Sequence, residues 1–344
     1  MKVGSLVSVA EAPVTVILVA YHGDEWIPRC IASLSDASRS RLHLVLVDNS
    51  GNSVLDQLPL GPFDAEVIST PGPLGFAEAN NFALMRASRL RRAVIFLNQD
   101  TISPAGWIDE CCRVLDANPK LGAVSPLIRT YEDDGWDPSF LSCLSVEQRE
   151  MIGHEELDGV LYVTDVPAPA MMVPTGVLRR TGPFDPIFGS YYEDYDLCRR
   201  IREEGYDVGF ATGARIRHFS GSTTSTRERE LARMRHIIRN RFIHQLRSSR
   251  SSRSRQVARH FTHALPRRLA RGLARTPSSQ PPLVTIKAHF DLLKDLPRLI
   301  SRSRDEAAWR NYLAGIGWND RFNGMGMEEE VLRESQVSPD YRRH

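Results

Sequence analysis

The chain has 344 residues, of which 42% are hydrophobic and 25% are charged, a composition that suits a globular protein with a sizeable core. Its net charge of +2 conceals an acidic body, residues 1–226 with 19 Lys and Arg against 30 Asp and Glu, and a basic segment, residues 227–275 with 15 Arg against 2 Glu. Five cysteines without a CxxC spacing exclude a disulfide scaffold or zinc ribbon and favour a reducing compartment. Because no apolar run approaches the roughly 20 residues of a membrane-spanning helix and residues 1–13 lack the features of a signal peptide, we expect a cytoplasmic protein.

The first half of the chain alternates strand-like and helix-like segments joined by short connections. This alternation predicts an α/β fold with a mostly parallel central sheet and helices on both faces. No GxGxxG follows the first strand and no GxxxxGK[ST] occurs, so the dinucleotide and P-loop signatures are missing. Apolar runs predict strands at 14–20, 42–47, 65–70, 93–97 and 121–128, separated by helices at 26–34, 76–90 and 104–115.

The apolar run 93–97 stops abruptly on Asn98, Gln99 and Asp100. Ligands bind at the carboxyl ends of strands in open α/β sheets. A carboxylate such as Asp100 at this position is placed to bind a divalent cation that neutralises a diphosphate leaving group. The alternative is that Asn98 and Asp100 begin a turn and cap the helix near Pro104.

Beyond a polar excursion at 131–159 and strand-like segments at 161–166 and 168–173, a loop rich in Pro, Gly and aromatic residues precedes three acids at the start of a helix. Helix N-termini favour acids through the macrodipole, but that does not explain the loop that presents them, so we predict a functional carboxylate here. These acids are Glu193, Asp194 and Asp196.

Strand-like segments at 208–211 and 214–222 follow, and the second contains a lone histidine, His218. A histidine in such a position is more often structural than a metal ligand. Beside Asp100, however, its imidazole would complete a plausible pair of ligands for a divalent cation.

The basic segment carries apolar residues at helical spacing, so we predict that part of it packs on the body or lies at an anionic membrane surface. A solvated basic face is the alternative, and nucleic acid is the less favoured partner because no nucleic-acid motif accompanies the charge. A linker at 276–282, a helix at 283–313 and a loose end at 319–344 complete the prediction. We divide the chain into a catalytic domain, 1–226, and an Arg-rich helical extension, 227–344.

In this order, the segments from Val14 to Ser222 resemble the family 2 glycosyltransferases with the GT-A fold, particularly the bacterial rhamnosyltransferase-like branch. The resemblance implies that the first strand and the loop and helix after Gly75 bind the nucleotide, and that Asp48 contacts its base. The nucleotide-binding residues that it implies are Ala20, Tyr21, Asp48, Gly75, Phe76, Asn80, Asn81, Asn98 and Gln99.

Asn98-Gln99-Asp100 stands where the family carries Asp-x-Asp, and His218-Phe219-Ser220-Gly221 resembles its His-x-x-Gly element. The resemblance therefore implies that Asp100 and His218 hold Mg²⁺ or Mn²⁺. In Glu193-Asp194-Tyr195-Asp196 it implies Asp194 as the catalytic base, with Glu193 and Asp196 supporting the acceptor site.

The implied reaction is an inverting displacement at the anomeric carbon of a nucleotide-diphospho-sugar, with deoxythymidine-diphospho-rhamnose as the first guess. The acceptor would be a glycan or a lipid-linked sugar in polysaccharide assembly, reached at the cytoplasmic face of a membrane. The chain departs from the family at 72–74, where Asn is common, at His22, which replaces Asn, and at Ala168-Pro169-Ala170, which replaces Ser-Gly-Ala. A nucleotidyltransferase on a similar fold, or a non-catalytic membrane or nucleic-acid adaptor, remains the alternative.

Overall fold

A computed structural model describes residues 14–51, 55, 58–60, 62–153, 159–220, 226–249, 251–274 and 280–324. Within these ranges nine strands form one mixed sheet in the order β3-β2-β1-β4-β8-β6-β9-β5, with β7 beside β9. The strands are β1 Val14–Ala20, β2 His43–Asp48, β3 Asp64–Ser69, β4 Ala93–Asn98, β5 Thr101–Ile102, β6 Leu121–Thr130, β7 Val160–Val163, β8 Ala170–Pro174 and β9 Asp207–His218.

Helices pack against this sheet and continue beyond it. Those of the body are α1 Trp26–Leu34, α2 Phe76–Arg86, α3 Trp107–Ala117, α4 Pro138–Ser142, α5 Val146–Gly153, α6 Thr175–Thr181 and α7 Glu193–Glu203. Those of the C-terminal part are α8 Arg227–Ser248, α9 Arg253–Arg259, α10 Leu265–Leu273, α11 Pro282–Leu299, α12 Arg302–Gly315 and α13 Trp318–Gly324, and a π-helical turn, His260–Ala264, joins α9 to α10.

Strands β3, β2, β1 and β4 are parallel neighbours and carry the carboxyl-terminal edge predicted from the sequence. Three of them, β1, β2 and β4, are buried along almost their whole length, because their continuous apolar runs are covered on both faces. The helices cover the sheet with apolar faces. In α1 the buried side chains form one such stripe: Trp26, Ile27, Cys30, Ile31 and Leu34.

The second half of the sheet is mixed. Strand β8 runs antiparallel to both β4 and β6, while β6 and β9 are parallel. The segments predicted at 208–211 and 214–222 are one strand, β9, which passes an irregularity beside Pro126 and Leu127. A strand that returns antiparallel in the middle of the sheet was not evident from the hydrophobic pattern, because burial on both faces looks the same in either direction.

The C-terminal part also differs from the prediction in two places. The helix expected at 283–313 is two helices, because the chain turns at Ser301, whose side chain caps α12 by accepting from the backbone N–H of Arg304. The loose end expected at 319–344 contains a helix, α13, up to residue 324, and residues 325–344 lie outside the described ranges.

Contacts tie this extension to the body. Tyr312 accepts a hydrogen bond from Asn81 of α2 at 2.8 Å, the guanidinium of Arg321 donates to the carbonyl of Leu84 at 3.1 Å, and Trp318 is buried in the main core. The division at residue 226 stays a prediction, but the helices after it pack on the residues before it.

Candidate functional site

The carboxyl ends of β1, β2 and β4 lie side by side. Ala20 is in register with Asp48, and Val19 is in register with Asn98. One carboxylate oxygen of Asp48 accepts from the backbone N–H groups of Ser50 and Gly51 at 3.2 and 2.9 Å, which turns the chain sharply after β2. The structure therefore brings together Ala20, Asp48 and Asn98, as predicted for one edge of the sheet, and Tyr21 follows as an exposed side chain.

The side chain of Gln99 lies against the backbone of Tyr21. Its Oε1 accepts from the backbone N–H of Tyr21 at 2.9 Å and its Nε2 donates to the carbonyl of Tyr21 at 2.8 Å. The amide of Gln99 also lies against Gly23, where an added Cβ would force Gln99 out of this position. In this structure the amide of Gln99 fixes the backbone beside Tyr21, and its contact with a nucleotide stays a prediction.

The start of α2 is held in place by the loop 183–192, which we call the acceptor loop. The backbone N–H of Phe76 donates to the hydroxyl of Ser190 at 3.1 Å, and that of Ala77 donates to the carbonyl of Gly189 at 2.8 Å. Gly75 lies so close to Gly189 that an added Cβ would meet its carbonyl oxygen at 2.9 Å. Gly75 and Phe76 thus join two loops at the site edge.

The side chains of Asn80 and Asn81 are both buried. Asn80 donates to the carbonyl of Phe76, at the start of its own helix, at 2.9 Å. Asn81 both donates to and accepts from the backbone of Phe184, at 2.7 and 3.0 Å, and so joins α2 to the acceptor loop. The nucleotide-binding role of both residues stays a prediction.

Asn49 is a supporting residue to which the sequence analysis assigned no role. Its side chain donates to the carbonyl of Leu74 at 2.9 Å and accepts from the N–H of the same residue at 2.8 Å. The amide pair mimics a strand pairing and fixes the loop that leads to Gly75. The sequence signal for this role was the position of Asn49, directly after Asp48 at the end of a strand.

The two predicted metal ligands do meet. Thr101 of β5 is in register with His218 of β9, and this pairing sets Nε2 of His218 at 3.5 Å from Oδ1 of Asp100. The backbone N–H of Phe219 also donates to the carbonyl of Asp100 at 3.1 Å. Gly221 of the His-x-x-Gly element lies outside the described residues.

A third residue, Asp137, orients the histidine. Its Oδ2 lies 3.0 Å from Nδ1 of His218 and also accepts from the hydroxyl of Ser220. With Nδ1–H donated to Asp137, Nε2 faces Asp100, and loss of the Nε2 proton to a bound cation would leave its lone pair directed there, which is the arrangement that metal-binding histidines use. Although burial opposes the charged forms, the carboxylates of Asp100 and Asp137 raise the pKa of His218 to about 9, and His218 lowers the pKa of Asp137 to about 2.

These residues fit a cation that takes its remaining ligands from elsewhere. Within the described ranges no three His, Cys, Asp or Glu side chains are grouped so that they could hold a metal by themselves. Asp100 and His218 would supply one oxygen and one nitrogen ligand to Mg²⁺ or Mn²⁺, and diphosphate oxygens and water would complete the coordination.

Sequence reasoning missed Asp137 because it lies in the excursion 131–159, which the composition described only as polar and acidic. The structure places it at the start of α4, where it caps the helix by accepting from the N–H of Ser139 at 2.7 Å. Asp followed by Pro138 is a helix-start signal, but nothing local could show that the same carboxylate reaches His218.

The predicted base lies at the other side of this edge, at the start of α7. The two residues that precede α7, Tyr191 and Tyr192, have φ of 72° and 75°. This left-handed conformation is costly for residues with a side chain, and residues that adopt it concentrate at functional sites. One oxygen of Asp194 accepts from the backbone N–H of Ala168 at 3.0 Å, and the other from that of Tyr195 at 2.9 Å.

Burial raises the pKa of Glu193 and of Asp194, but to different extents. Burial raises the pKa of Asp194 to about 6, in part opposed by the two backbone N–H donors. Burial together with the charge of Asp194 raises the pKa of Glu193 well above its usual range, and Oε2 of Glu193 has no hydrogen-bond partner among the described residues. At neutral pH Asp194 is therefore the ionised member of the pair, poised near the pH at which a general base is most effective.

Asp196 is predicted to support the acceptor site. Its carboxylate is fully buried and paired with Arg199, Arg200 and Arg247 at 2.9, 3.0 and 3.3 Å. In spite of the burial, these guanidinium groups hold its pKa well below its usual range. The ion pairs anchor α7, and the supporting role of Asp196 at the acceptor site stays a prediction.

Helix α8 of the basic segment holds the acceptor loop. The Nδ2 group of Asn240 donates to the carbonyls of Phe188, Ser190 and Tyr191 at 2.7, 2.9 and 2.8 Å. Arg247 pairs with Asp185 at the other end of the loop at 2.9 Å. The sequence signal for these contacts was Asn240, a polar residue at a buried position of an otherwise apolar helix face. Its hydrogen-bond partners could not be predicted from the sequence.

A short segment joins the two halves of the site. The carbonyl of Pro169 accepts from the N–H of Asn98 at 2.9 Å, while the N–H of Ala168 donates to Asp194. The position at which the sequence departs from Ser-Gly-Ala is thus the point of contact between the end of β4, which leads to Asp100, and the base.

Comparisons with known proteins agree with this arrangement. The family model "Glycosyltransferase like family 2" matches residues 12–235, which is more than half of the chain. No curated protein shows a significant sequence match.

Among solved structures, GalNAc-T7 with UDP, GalNAc and Mn²⁺ is 16% identical with a TM-score of 0.51, over 67% of this chain and 48% of that chain. This chain therefore spans about half the length of that protein. The mannosyltransferase PcManGT from Pyrobaculum calidifontis, in complex with GDP-Man and Mn²⁺, is also 16% identical with a TM-score of 0.50, over 92% of this chain and 88% of that chain. These matches confirm the predicted GT-A-type α/β fold with a mostly parallel sheet and C-terminal helices.

Proposed function

Because this chain belongs to the family 2 glycosyltransferases, we propose that it moves a sugar from a nucleotide-diphospho-sugar to a hydroxyl of a glycan or lipid-linked acceptor, with inversion at the anomeric carbon. One observation carries the proposal. The segment Ala168-Pro169 contacts both the carboxylate of Asp194 and the strand that leads to Asp100, so a base and a site for the leaving group flank one position.

Asp194 is proposed as the base that takes the proton of the attacking hydroxyl. A sugar hydroxyl is a weak nucleophile at neutral pH, and a carboxylate within hydrogen-bond reach removes its proton as the new bond forms. The donors at Ala168 and Tyr195 fix the direction of the carboxylate, and burial raises its pKa to about 6, which makes it a stronger base than an exposed aspartate. Glu193, protonated beside it, is available to donate a hydrogen bond to the acceptor.

Asp100 and His218 are proposed to hold Mg²⁺ or Mn²⁺, which when bound would neutralise negative charge on the diphosphate. Asp137 keeps Nε2 of His218 directed at that position. Tyr21, Asp48, Gly75 and Phe76 line the rim where the nucleotide would lie.

For the donor we propose deoxythymidine-diphospho-rhamnose, and for the acceptor a sugar carried on a lipid or a growing polysaccharide. Support for the rhamnosyl donor is the sequence resemblance alone. The lipid-linked acceptor is consistent with the basic C-terminal part, and we propose that the protein works in the cytoplasm at the membrane that carries this acceptor.

The test is calorimetric binding of a panel of nucleoside diphosphates and nucleotide sugars, in Mn²⁺, in Mg²⁺ and in chelator, to the wild type and to Asp100→Ala. We expect one nucleotide class to bind in a metal-dependent manner and the variant to lose at least tenfold in affinity. Asp109→Ala, on α3, serves as the matched control and should bind like the wild type.

Product analysis with the best-binding nucleotide sugar separates the proposal from its rival enzyme class. Release of nucleoside diphosphate supports sugar transfer, whereas release of pyrophosphate from a nucleoside triphosphate would indicate a nucleotidyltransferase. Absence of nucleotide binding under every condition would contradict the proposal and favour a non-catalytic adaptor.

A further inference from the structure

Helix α11 carries a row of exposed apolar side chains. Leu283, Ile286, Phe290 and Leu293 follow one another at intervals of three and four residues, so they share one face of the helix. Leu283 and Phe290 are 63% and 64% exposed. Helix α10 ends against the start of α11, where a Cβ on Gly272 would meet the carbonyl of Gln280, and its last residue, Leu273, is 74% exposed. We call these five side chains the apolar stripe: Leu273, Leu283, Ile286, Phe290 and Leu293.

The stripe is not the face that packs α11 onto the protein. The opposite face, with Leu292, Leu296 and Leu299, is buried in a cluster that also contains Phe242 of α8 and Phe188 of the acceptor loop. Helix α11 is therefore apolar on two sides, and folding of the described residues buries one of them. Half of the large hydrophobic side chains that are exposed in the described residues lie between positions 273 and 300. Such a concentration marks an interaction surface.

The charges around the stripe are positive. Lys287 and Lys294 are exposed and follow Ile286 and Leu293 by one residue, so they lie at the border of the stripe. The acidic residues of the same helix are neutralised, because Asp291 pairs with Arg235 and Asp295 pairs with Arg239, both from α8. An apolar face bordered by exposed lysines fits the headgroup region of a bilayer that contains anionic lipids.

We propose that the apolar stripe inserts into the surface of a membrane containing anionic lipid, with Lys287 and Lys294 on the lipid headgroups. Within the described ranges no helix is long and apolar enough to cross a bilayer, so contact by this surface would be peripheral. A second copy of the chain is disfavoured, because a two-fold contact through the stripe would bring the lysines of both copies together.

This inference moves the membrane contact away from the place that the sequence suggested. On α8, Arg235, Arg239 and Arg247 form ion pairs with Asp291, Asp295 and Asp185 of the same protein, whereas the exposed apolar face belongs to α11. It rests on the proposed function in one respect only: a lipid-linked acceptor would then arrive one helix away from the acceptor loop, through the cluster that contains Phe188.

The test is flotation of the full-length protein with vesicles of phosphatidylcholine alone and of phosphatidylcholine with phosphatidylglycerol. We expect binding to the anionic vesicles and little binding to the neutral ones.

Phe290→Ser with Leu293→Ser should weaken binding more than tenfold, since each substitution removes an apolar side chain that would be buried in the bilayer. Lys287→Glu with Lys294→Glu should weaken binding to the anionic vesicles more than tenfold, because each lysine contributes about fivefold. Val146→Ser with Tyr162→Ser, two exposed residues elsewhere, is the matched control and should float like the wild type.

Failure of the wild type to float with anionic vesicles at low salt would overturn the inference, as would equal flotation of the serine pair and the wild type. Sedimentation analysis adds a second way to overturn it, if the wild type is a dimer that the serine pair converts to a monomer. Nucleotide binding, measured on the same proteins, should be unchanged by the stripe substitutions. Loss of flotation with intact nucleotide binding would therefore be distinct from failure of the proposed transferase activity.

Discussion

The two sides of the site are built in different ways. On the donor side, Ala20, Asp48 and Asn98 meet because three parallel strands end together, and their contacts are made with neighbouring strands and turns. On the acceptor side, the loop 183–192 is held by Asn240 and Arg247, about 50 residues further along the chain. One side follows from sheet geometry and the other from long-range polar contacts.

The difference also appears in the electrostatics. The donor edge is open, with Tyr21 exposed, whereas Glu193 and Asp194 are buried and the pKa of both carboxyl groups is raised. Catalytic acids and bases need this kind of environment, but burying charge costs stability unless partners are fixed beforehand. The comparison suggests that α8 stabilises the acceptor loop so that Asp194 can remain buried and reactive.

The largest effect should come from the base. Asp194→Asn removes the proton acceptor and keeps the size of the side chain, but its single amide oxygen can accept from only one of the two backbone N–H groups, at Ala168 and Tyr195, that the carboxylate accepts from. We expect kcat to fall about 10³-fold. Donor binding, measured by calorimetry, should be unchanged, since the donor side does not depend on this carboxylate. The exposed substitution Glu203→Gln on the same helix is the control. A variant with more than a tenth of the wild-type rate would show that another group is the base.

The next effect should be on folding. Arg247→Met leaves Asp185, Asp196 and Asp305 without their shared buried cation, and breaking such a network typically costs about 3–5 kcal/mol. Arg92→Met, which removes an exposed pair with Asp116, should cost less than about 1 kcal/mol. Urea unfolding of both variants measures the difference. Equal midpoints would mean that the acceptor side does not depend on α8.

The donor half of this comparison could be predicted from the sequence. A continuous apolar run predicts a buried strand, and polar residues directly after it predict the edge of the sheet at which ligands bind, which is how Asp48, Asn98 and Asp100 were identified. That Asp100 and His218 lie together was implied by the family resemblance, whereas the residue types alone could not show that they meet. What the pattern could not show was direction, so the antiparallel β8 was missed.

The acceptor half could be predicted only as a list of acids. Glu193, Asp194 and Asp196 are adjacent in sequence, yet α7 turns Asp196 into an arginine cluster while the other two remain beside Ala168. The side-chain amides of Gln99 and Asn81 likewise resemble ligand-binding groups, and in this structure they bond to backbone carbonyls and N–H groups. Such outcomes depend on which partner arrives from a distant segment, and hydrophobic periodicity carries no information about it.

A substitution of Asp137 tests the proposed metal site on the donor side. Asp137→Asn keeps the shape but removes the charge that orients His218, and loss of such a partner typically weakens metal binding about 10–100-fold. Titration of Mn²⁺ in the presence of the preferred nucleoside diphosphate measures this effect. Asp134→Asn, an exposed residue in the same excursion, should leave the affinity unchanged. Unaltered Mn²⁺ affinity in Asp137→Asn would separate His218 from the cation.

The pH dependence tests the acceptor side. Burial raises the pKa of Asp194 to about 6, and the base must be ionised to act. As the pH falls through this value the base becomes protonated, so kcat/KM should fall about fivefold between pH 6 and pH 5 and level off above pH 7. Stability should change in the opposite sense: a carboxyl group whose pKa is raised on folding favours the folded state at low pH and loses that contribution as the pH rises through about 6. The stability of Asp194→Asn should therefore rise relative to that of the wild type as the pH rises from about 4, the pKa of Asp in the unfolded chain, through about 6. A rate profile that is flat down to pH 5 would contradict this assignment.

The smallest expected effect concerns Asn240, which donates to three carbonyls of the acceptor loop but touches neither the base nor the donor edge. Asn240→Ala should lower kcat about five- to tenfold and raise the KM for the acceptor, while the KM for the donor stays constant, because only the loop before Asp194 loses its support. Asn240→Asp should not restore the rate, since a carboxylate cannot donate to carbonyl groups. Asn118→Ala, which removes an amide from the end of α3, controls for a general loss of stability. Equal changes in both KM values would show that the two sides move together, and the contrast between a sheet-built donor edge and a helix-held acceptor loop would then fail.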